Sequence, residues 1–189
     1  MKTSKKEIID LVKAWIAISI AFAIILREGT AVQQIAESFI ISALTVGTAF
    51  LLHELAHKAL AQKYRLFAEF RSFDTMLILA IVMSFFGFVF AAPGAVMIRG
   101  YVTKERNGKL SAMGPLTNLI LALIFFGIKL TSPTGIAQQI ANYGVIINSW
   151  IAVFNLIPVW NFDGAKIWQW NKAAYLGMAA FGVLFLLFL

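Results

Sequence analysis

The densest cluster of reactive side chains in the sequence is His53-Glu54-Leu55-Ala56-His57. Residues four apart lie on one face of an α-helix, so His53 and His57 can offer two imidazoles to one metal ion. Glu54 lies beside them and can act as a base on a metal-activated water, which is the chemistry of the H-E-x-x-H pattern. Both histidines of the chain belong to this cluster. The cluster therefore predicts a metal site with an adjacent general base.

The setting of the cluster supports a functional interpretation. It lies in an apolar segment, where an acidic side chain costs about 2.5 kcal/mol or more to insert into a membrane and tends to be functional. The alternative is a helix end that emerges among lipid headgroups, where His and Glu are solvated. This alternative is disfavoured because Ala59, Leu60 and Ala61 continue the apolar run.

A catalytic zinc site usually has three protein ligands and one open position. The chain has no Cys and no third His, so the third ligand must be a carboxylate. Asp163 is the strongest candidate, because Pro158 ends the preceding helix and Gly164 permits a tight turn. The alternative for Asp163 is an ordinary turn residue before glycine. We expect one Zn²⁺ per chain on His53, His57 and Asp163, with Glu54 as the catalytic base.

The composition indicates that a membrane must position these residues. The chain has 189 residues, of which 60% are hydrophobic and 13% are charged, and its mean hydropathy is +0.82. A soluble globule cannot cover so much apolar surface with so little charge. A soluble enzyme and a nucleic-acid-binding module are therefore excluded, and the net charge of +7 reports membrane orientation instead.

The apolar runs predict an α-helical polytopic membrane protein with about five or six membrane segments. Residues 74–98 begin as a helix-like run and then reach Pro93-Gly94, a turn signal. We expect a re-entrant or short β element near 91–103. Five other runs are long enough to span a bilayer: 8–26, 37–61, 113–129, 136–156 and 173–189.

The positive-inside rule favours a threading in which 74–98 returns to its side of origin. Of the 16 Lys and Arg residues, 14 then lie on the cytoplasmic side and only Arg27 and Lys129 lie outside. Simple alternation gives almost no bias. The re-entrant threading also brings the His53 and Asp163 ends to one side. We therefore expect a multi-pass cell-membrane protein whose site faces the cytoplasm.

Three motifs resemble the site-2 protease family of intramembrane zinc metalloproteases. The family has an H-E-x-x-H helix, a glycine-to-asparagine motif in the next core helix, and an N-x-x-P-x-x-x-x-D-G segment. The sequence contains, in this order, HELAH at 53–57, Gly114-Pro115-Leu116-Thr117-Asn118, and NLIPVWNFDG at 155–164.

The resemblance implies a single transmembrane protease domain over 1–189, with its core motifs within 37–172. It implies that zinc binds to His53, His57 and Asp163. The chain resembles a minimal form of the family without a PDZ or CBS domain. The expected partners are the lipid bilayer and a transmembrane protein substrate, not a nucleic acid. Asn118 and Asn155 are candidates for binding the substrate backbone, and the alternative is that they cap or bridge helices.

Other functions remain open from the sequence. A protease that trims prenylated C-termini fits less well, because that class uses a glutamate as the third ligand. The main alternative is a membrane metal-binding or transport protein without peptidase activity. A transport function favours polar residues distributed across the membrane depth, whereas here they cluster at one end.

Overall fold

A computed structural model describes residues 1–27, 29, 31–89 and 93–187, which are mostly helical with one two-stranded sheet. The helices are α1 (Lys5–Leu26), α2 (Val32–Ser42), α3 (Thr48–Lys63), α4 (Asp74–Ser84), α5 (Lys104–Leu130), α6 (Gly135–Asn155), α7 (Asp163–Trp170) and α8 (Lys172–Leu187). The strands are β1 (Phe67–Ser72) and β2 (Gly94–Arg99).

Three helices of the described residues are long and apolar enough to cross a membrane: α1, the continuous helix Val32–Lys63, and α5. They correspond to the predicted spans 8–26, 37–61 and 113–129. The full set of five or six spans is not confirmed. α6 has 21 residues, but its amide side chains make it more polar than the three candidates, and α8 is a shorter apolar helix. The last two residues of the predicted span 173–189 lie outside the described residues.

The helix that carries the histidines contains one irregular turn. Residues Ala43–Gly47 form a π-helical turn between α2 and α3. π-helical turns inside α-helices are rare and are frequent at functional sites. Gly47 in this turn packs against Trp15 of α1, where an added Cβ would overlap the indole ring. The turn therefore also marks a close contact between α1 and the helix that leads to the site.

The segment 74–98 has the mixed structure that the sequence predicts. Its first part forms α4, and its last part forms β2, which begins at Gly94. Residues 90–92 lie outside the described residues, and with them part of the expected β element near 91–103. β2 pairs with β1 in antiparallel register, from Phe67 opposite Arg99 to Ser72 opposite Gly94. The sequence analysis did not predict β1.

α5 is the central helix around which the site is built. It packs against α3, α6 and α7, and α8 packs against α6 and α7. α1 packs against α2, α4 and β1. Thr103 caps the start of α5 by accepting a hydrogen bond from the Arg106 backbone N–H at 3.3 Å. Because α3 and α7 both contact α5, the two sequence motifs that are distant in the chain meet on one helix.

Candidate metal centre

α3 presents the two histidines as the spacing predicts. His53 and His57 lie one turn apart, with ring centroids 4.7 Å from each other and ring planes at 80°. Their side chains are 5% and 12% exposed. Two nearly buried imidazoles on one helical face provide two nitrogen ligands to a common point.

Asp163 reaches the same point from the first turn of α7. Its Oδ2 lies 3.3 Å from His53 Nε2 and 3.1 Å from His57 Nε2. The turn before α7 is tight, because an added Cβ on Gly164 would overlap the Leu156 carbonyl group. The structure therefore brings together the three residues that the sequence analysis selected as ligands.

The three ligand atoms fit one zinc ion. They all lie within 4.8 Å of one another. Two ligand atoms that are each about 2.0–2.1 Å from zinc in tetrahedral geometry are about 3.3 Å apart, which matches the Nε2–Oδ2 distances. Two imidazole nitrogens and one carboxylate oxygen are also ligands that zinc takes in catalytic sites.

The charge of Asp163 suits the role of a zinc ligand. Burial by itself raises the pKa of this carboxyl, but the adjacent imidazoles of His57 and His53 more than offset burial and hold the pKa below its ordinary value. Asp163 is therefore ionised at neutral pH and contributes a negative charge to the site.

α5 supports both imidazoles through their Nδ1 atoms. His57 Nδ1 donates a hydrogen bond to the Leu110 carbonyl oxygen at 2.7 Å, and His53 Nδ1 lies 2.6 Å from Asn118 Oδ1. Gly114 lies between them on the same helical stripe, where an added Cβ would overlap Nε2 of both histidines. Residues 110, 114 and 118 thus form one face of α5 that leaves room for the imidazoles and orients them.

Glu54 lies beside the histidines on the wall of a cleft. Its Oε2 accepts a hydrogen bond from the Val96 backbone N–H of β2 at 3.0 Å. The cleft has a volume of about 460 Å³ and is bounded by α1 on one side and α6 on the other. Apart from His53, Glu54 and Asn155, its lining is aliphatic, aromatic, proline or glycine. Glu54 therefore faces a largely apolar space that borders the metal ligands.

The two candidate asparagines have different environments. Asn155 lines the cleft, and its Nδ2 donates to the Ile151 carbonyl oxygen at 2.9 Å. Asn118 is fully buried against His53. The predicted substrate contacts of Asn118 and Asn155 both stay predictions. Asn118 makes hydrogen bonds to Ala49 of α3 and to Asn148 of α6.

Two backbone groups of the site were not found from the sequence. These are the Val96 N–H and the Leu110 carbonyl, and backbone groups leave no signal in residue identity. Gly114 was recognised in the sequence only as part of the Gly114–Asn118 motif. Its spacing of four from both Leu110 and Asn118 was the available signal for a helical face packed against the histidines.

The fold and the site define a helical protein with a histidine–carboxylate centre for one zinc ion. No family model matches the chain, and no solved structure matches it. A protein of Methanocaldococcus jannaschii named "putative zinc metalloprotease" is 40% identical over 171 residues, which cover 89% of this chain and 86% of that protein. The chain belongs to the same zinc metalloprotease family.

Proposed function

We propose that the protein is an intramembrane zinc metalloprotease of the site-2 protease type. It hydrolyses a peptide bond in or near a transmembrane helix of a membrane-protein substrate. The observation that carries the proposal is the convergence of His53, His57 and Asp163 next to Glu54, at the wall of an apolar cleft. Three helices of membrane-spanning length and composition support the intramembrane setting.

The reaction assigns one role to each group of the site. Zinc, when bound by the three ligands, supplies a Lewis acid that activates water and polarises the scissile carbonyl. The Glu54 carboxylate accepts a proton from the attacking water and delivers it to the leaving amine. The oxygen of the water bonds to the carbonyl carbon as the C–N bond breaks, so the peptide yields a carboxylate and an amine.

β2 is the proposed docking edge for an unwound substrate segment. One edge of β2 pairs with β1, and the other faces α3. The Val96 N–H points away from β1, because it donates to Glu54. An extended peptide that adds to this edge would lie alongside the general base, with backbone hydrogen bonds replacing those of its former helix. Asn155 lines the same cleft and is the proposed side-chain contact to the substrate backbone.

The proposed orientation follows from charge. With 74–98 returning to its side of origin, 14 of the 16 Lys and Arg residues are cytoplasmic, and the site opens to the cytoplasm. Water then reaches the site from that side, since His57 lies six residues, or about 9 Å, from the end of α3 at Lys63.

The deciding experiment uses the zinc-loaded chain in liposomes with a single-span reporter substrate. Glu54→Gln should retain zinc and lower the cleavage rate at least about 100-fold, because an amide cannot accept the proton of water. The matched control is Glu105→Gln, since the Glu105 side chain is 63% exposed and pairs with Lys109. Near-normal cleavage by Glu54→Gln would remove the general-base role. Zinc flux across the liposome without any cleavage would instead support the transport alternative.

A further inference from the structure

A chain of buried amide groups leads from α6 to the zinc ligand His53. Asn148 of α6 and Asn118 of α5 are both fully buried. Asn118 Nδ2 donates to Asn148 Oδ1 at 3.1 Å, and Asn118 Oδ1 lies 2.6 Å from His53 Nδ1. Neither asparagine is itself among the residues that line the cleft.

Two backbone carbonyls fix the donor–acceptor direction of the hydrogen bonds between these amides. Asn148 Nδ2 donates to the Gly144 carbonyl oxygen at 2.8 Å, and Asn118 Nδ2 donates to the Ala49 carbonyl oxygen at 3.1 Å. A carbonyl oxygen can only accept, so each amide nitrogen must face its carbonyl. The Asn118 oxygen must then face His53 Nδ1, which must carry the hydrogen.

The reversed direction is unfavourable at the links to Ala49 and Asn148. Rotating the Asn118 amide by half a turn would place its oxygen against the acceptor oxygens of Ala49 and Asn148. It would also place an N–H against His53 Nδ1 and require the hydrogen to sit on Nε2. Buried polar groups that lose their partners are costly.

We propose that Asn148 and Asn118 are positioning residues that hold His53 in its Nδ1–H tautomer before zinc binds. With Nδ1 directed to Asn118, Nε2 faces the metal position, 3.3 Å from Asp163 Oδ2. The inference rests on the proposed zinc site and extends it to α6, a helix that provides no ligand. Through these two amides, the orientation of the zinc ligand His53 on α3 depends on the packing of α5 against α6.

His57 provides an internal reference for this mechanism. Its Nδ1 donates to the Leu110 backbone carbonyl at 2.7 Å, which no side-chain substitution removes. His57 should hold the same tautomer without any contribution from Asn118 or Asn148. A change at Asn148 should therefore affect one imidazole and leave the other unchanged.

The test is ¹⁵N NMR of the full-length chain labelled at histidine, both zinc-loaded and after zinc removal with a chelator. The chain has two histidines, so the spectrum contains only two imidazoles. His57→Gln assigns the His53 signals. Both imidazoles of the zinc-free protein should carry a hydrogen on Nδ1, whether or not Nε2, which faces Asp163, also carries one. A His53 found mainly as Nε2–H would overturn the proposal without any further variant.

Asn148→Leu should shift His53 toward a mixture of tautomers, leave His57 unchanged and weaken zinc binding about 10-fold. Asn118→Leu should weaken zinc binding about 100-fold, near the upper end of the effect of groups that orient a metal ligand. Asn148→Asp should restore the tautomer as a neutral acid, with its hydroxyl donating to Gly144 and its carbonyl oxygen accepting from Asn118. The matched control is Ser149→Ala, the next residue of α6, which is also fully buried.

Equal tautomer populations and zinc affinities in Asn148→Leu and Ser149→Ala would overturn the proposal. If Asn148→Leu does not fold, the histidine spectrum of the wild-type protein and the zinc affinity of Asn148→Asp still test the proposal. Proteolysis is not the readout, so the result is separable from the proposed function. A chain with the Nδ1–H tautomer that binds zinc and cleaves no peptide would contradict the protease function and leave the amide chain intact.

Discussion

Asp163 contributes charge to the site as well as a ligand atom. Two neutral imidazoles and one carboxylate would hold Zn²⁺ with a net charge of +1, and the ion would supply the Lewis acid that activates water. A neutral third ligand would leave a higher net charge on the zinc site, next to the Glu54 carboxylate. The choice of a carboxylate thus bears on reactivity as well as on affinity.

Replacing Asp163 with Ala should reduce zinc from about one ion per chain to well below that level, because two imidazoles alone form an incomplete site. His53→Ala and His57→Ala should act in the same direction. Metal analysis of the purified protein measures the effect. Asp74→Ala is the control, because the Asp74 side chain is 68% exposed and pairs with Lys13. Full zinc retention in Asp163→Ala would mean that another residue is the third ligand.

At the residue scale, the sequence was informative where chemistry depends on side-chain type. The spacing of His53 and His57 follows from helical geometry, and the absence of Cys and of a third His left only carboxylates for the third position. The contacts that orient the ligands were less predictable. Leu110 acts through its backbone, and the role of Asn118 depends on the rotation of α5 relative to α3, which one sequence does not encode locally.

At the scale of elements, a buried ion pair ties α1 to α3 next to the metal site. Lys58 follows His57 directly, and its Nζ lies 2.6 Å from Glu7 Oε2, with side-chain exposures of 0% and 1%. Glu7 Oε1 also accepts a hydrogen bond from the Phe70 N–H of β1 at 2.9 Å. Three elements therefore meet at one carboxylate.

Breaking this pair on one side should destabilise the protein strongly. Lys58→Met leaves Glu7 buried without its counter-charge, and the free energy of unfolding should fall by about 3–5 kcal/mol. The double variant Lys58→Met/Glu7→Gln should recover much of this loss, because no charge then remains buried. Denaturant titration in detergent measures both. Lys109→Met, which removes an exposed pair with Glu105, should show no comparable change. A small effect of Lys58→Met alone on the free energy of unfolding would contradict the structural role of the Lys58–Glu7 ion pair.

The proposed threading of the elements can be tested with single cysteines, since the natural chain has none. Cysteines at positions 5, 104 and 166 should react with an impermeant reagent from one side of the membrane, and a cysteine at 31 from the other. Positions 5 and 104 begin α1 and α5, position 31 precedes α2, and position 166 lies in the short helix α7. Labelling of position 104 from the same side as position 31 would contradict the re-entrant path of 74–98.

The helical elements were more predictable than the strands. Long apolar runs predicted α1, α3 and α5, because a membrane helix must satisfy its backbone within one segment. β1 was missed because its six residues, FAEFRS, include a Glu and an Arg and read as a polar loop. A strand is stabilised by its partner, and β1 has its partner 27 residues further along the chain. The length of α6 was predicted, but its amide side chains leave it outside the three candidate spans.

For the whole molecule, the cleft lined by α1 and α6 bears on which substrate the proposed reaction would take. Its lining is almost entirely apolar, so a peptide that enters it must be apolar as well. The backbone of a membrane helix is hydrogen-bonded within itself, and its carbonyls are not free to approach the site. Local unwinding of the substrate is therefore a necessary step of the proposed reaction.

Helix-breaking residues in the cytoplasmic third of a reporter span should raise its cleavage rate. Gly costs about 1 kcal/mol and Pro about 3 kcal/mol of helix propensity, so either lowers the free energy needed for unwinding. An all-Leu span should resist cleavage. The control carries the same Asn-Pro pair at the opposite end of the span, and mass spectrometry identifies the products. Equal cleavage of the all-Leu and Asn-Pro spans would show that unwinding does not select the substrate.

The π-helical turn at Ala43–Gly47 has a consequence for the register of the helix that carries the ligands. Such a turn accommodates one additional residue, which changes the angular phase of the following helix by about 100°. Ile41 before the turn and His53 after it are both buried. If the same residues formed a uniform α-helix without the π-helical turn, Ile41 and His53 would be about 120° apart in phase, and these two faces would no longer point inward together. The position of the histidines in the sequence is thus set by a local count of residues within 43–47 as well as by their own spacing.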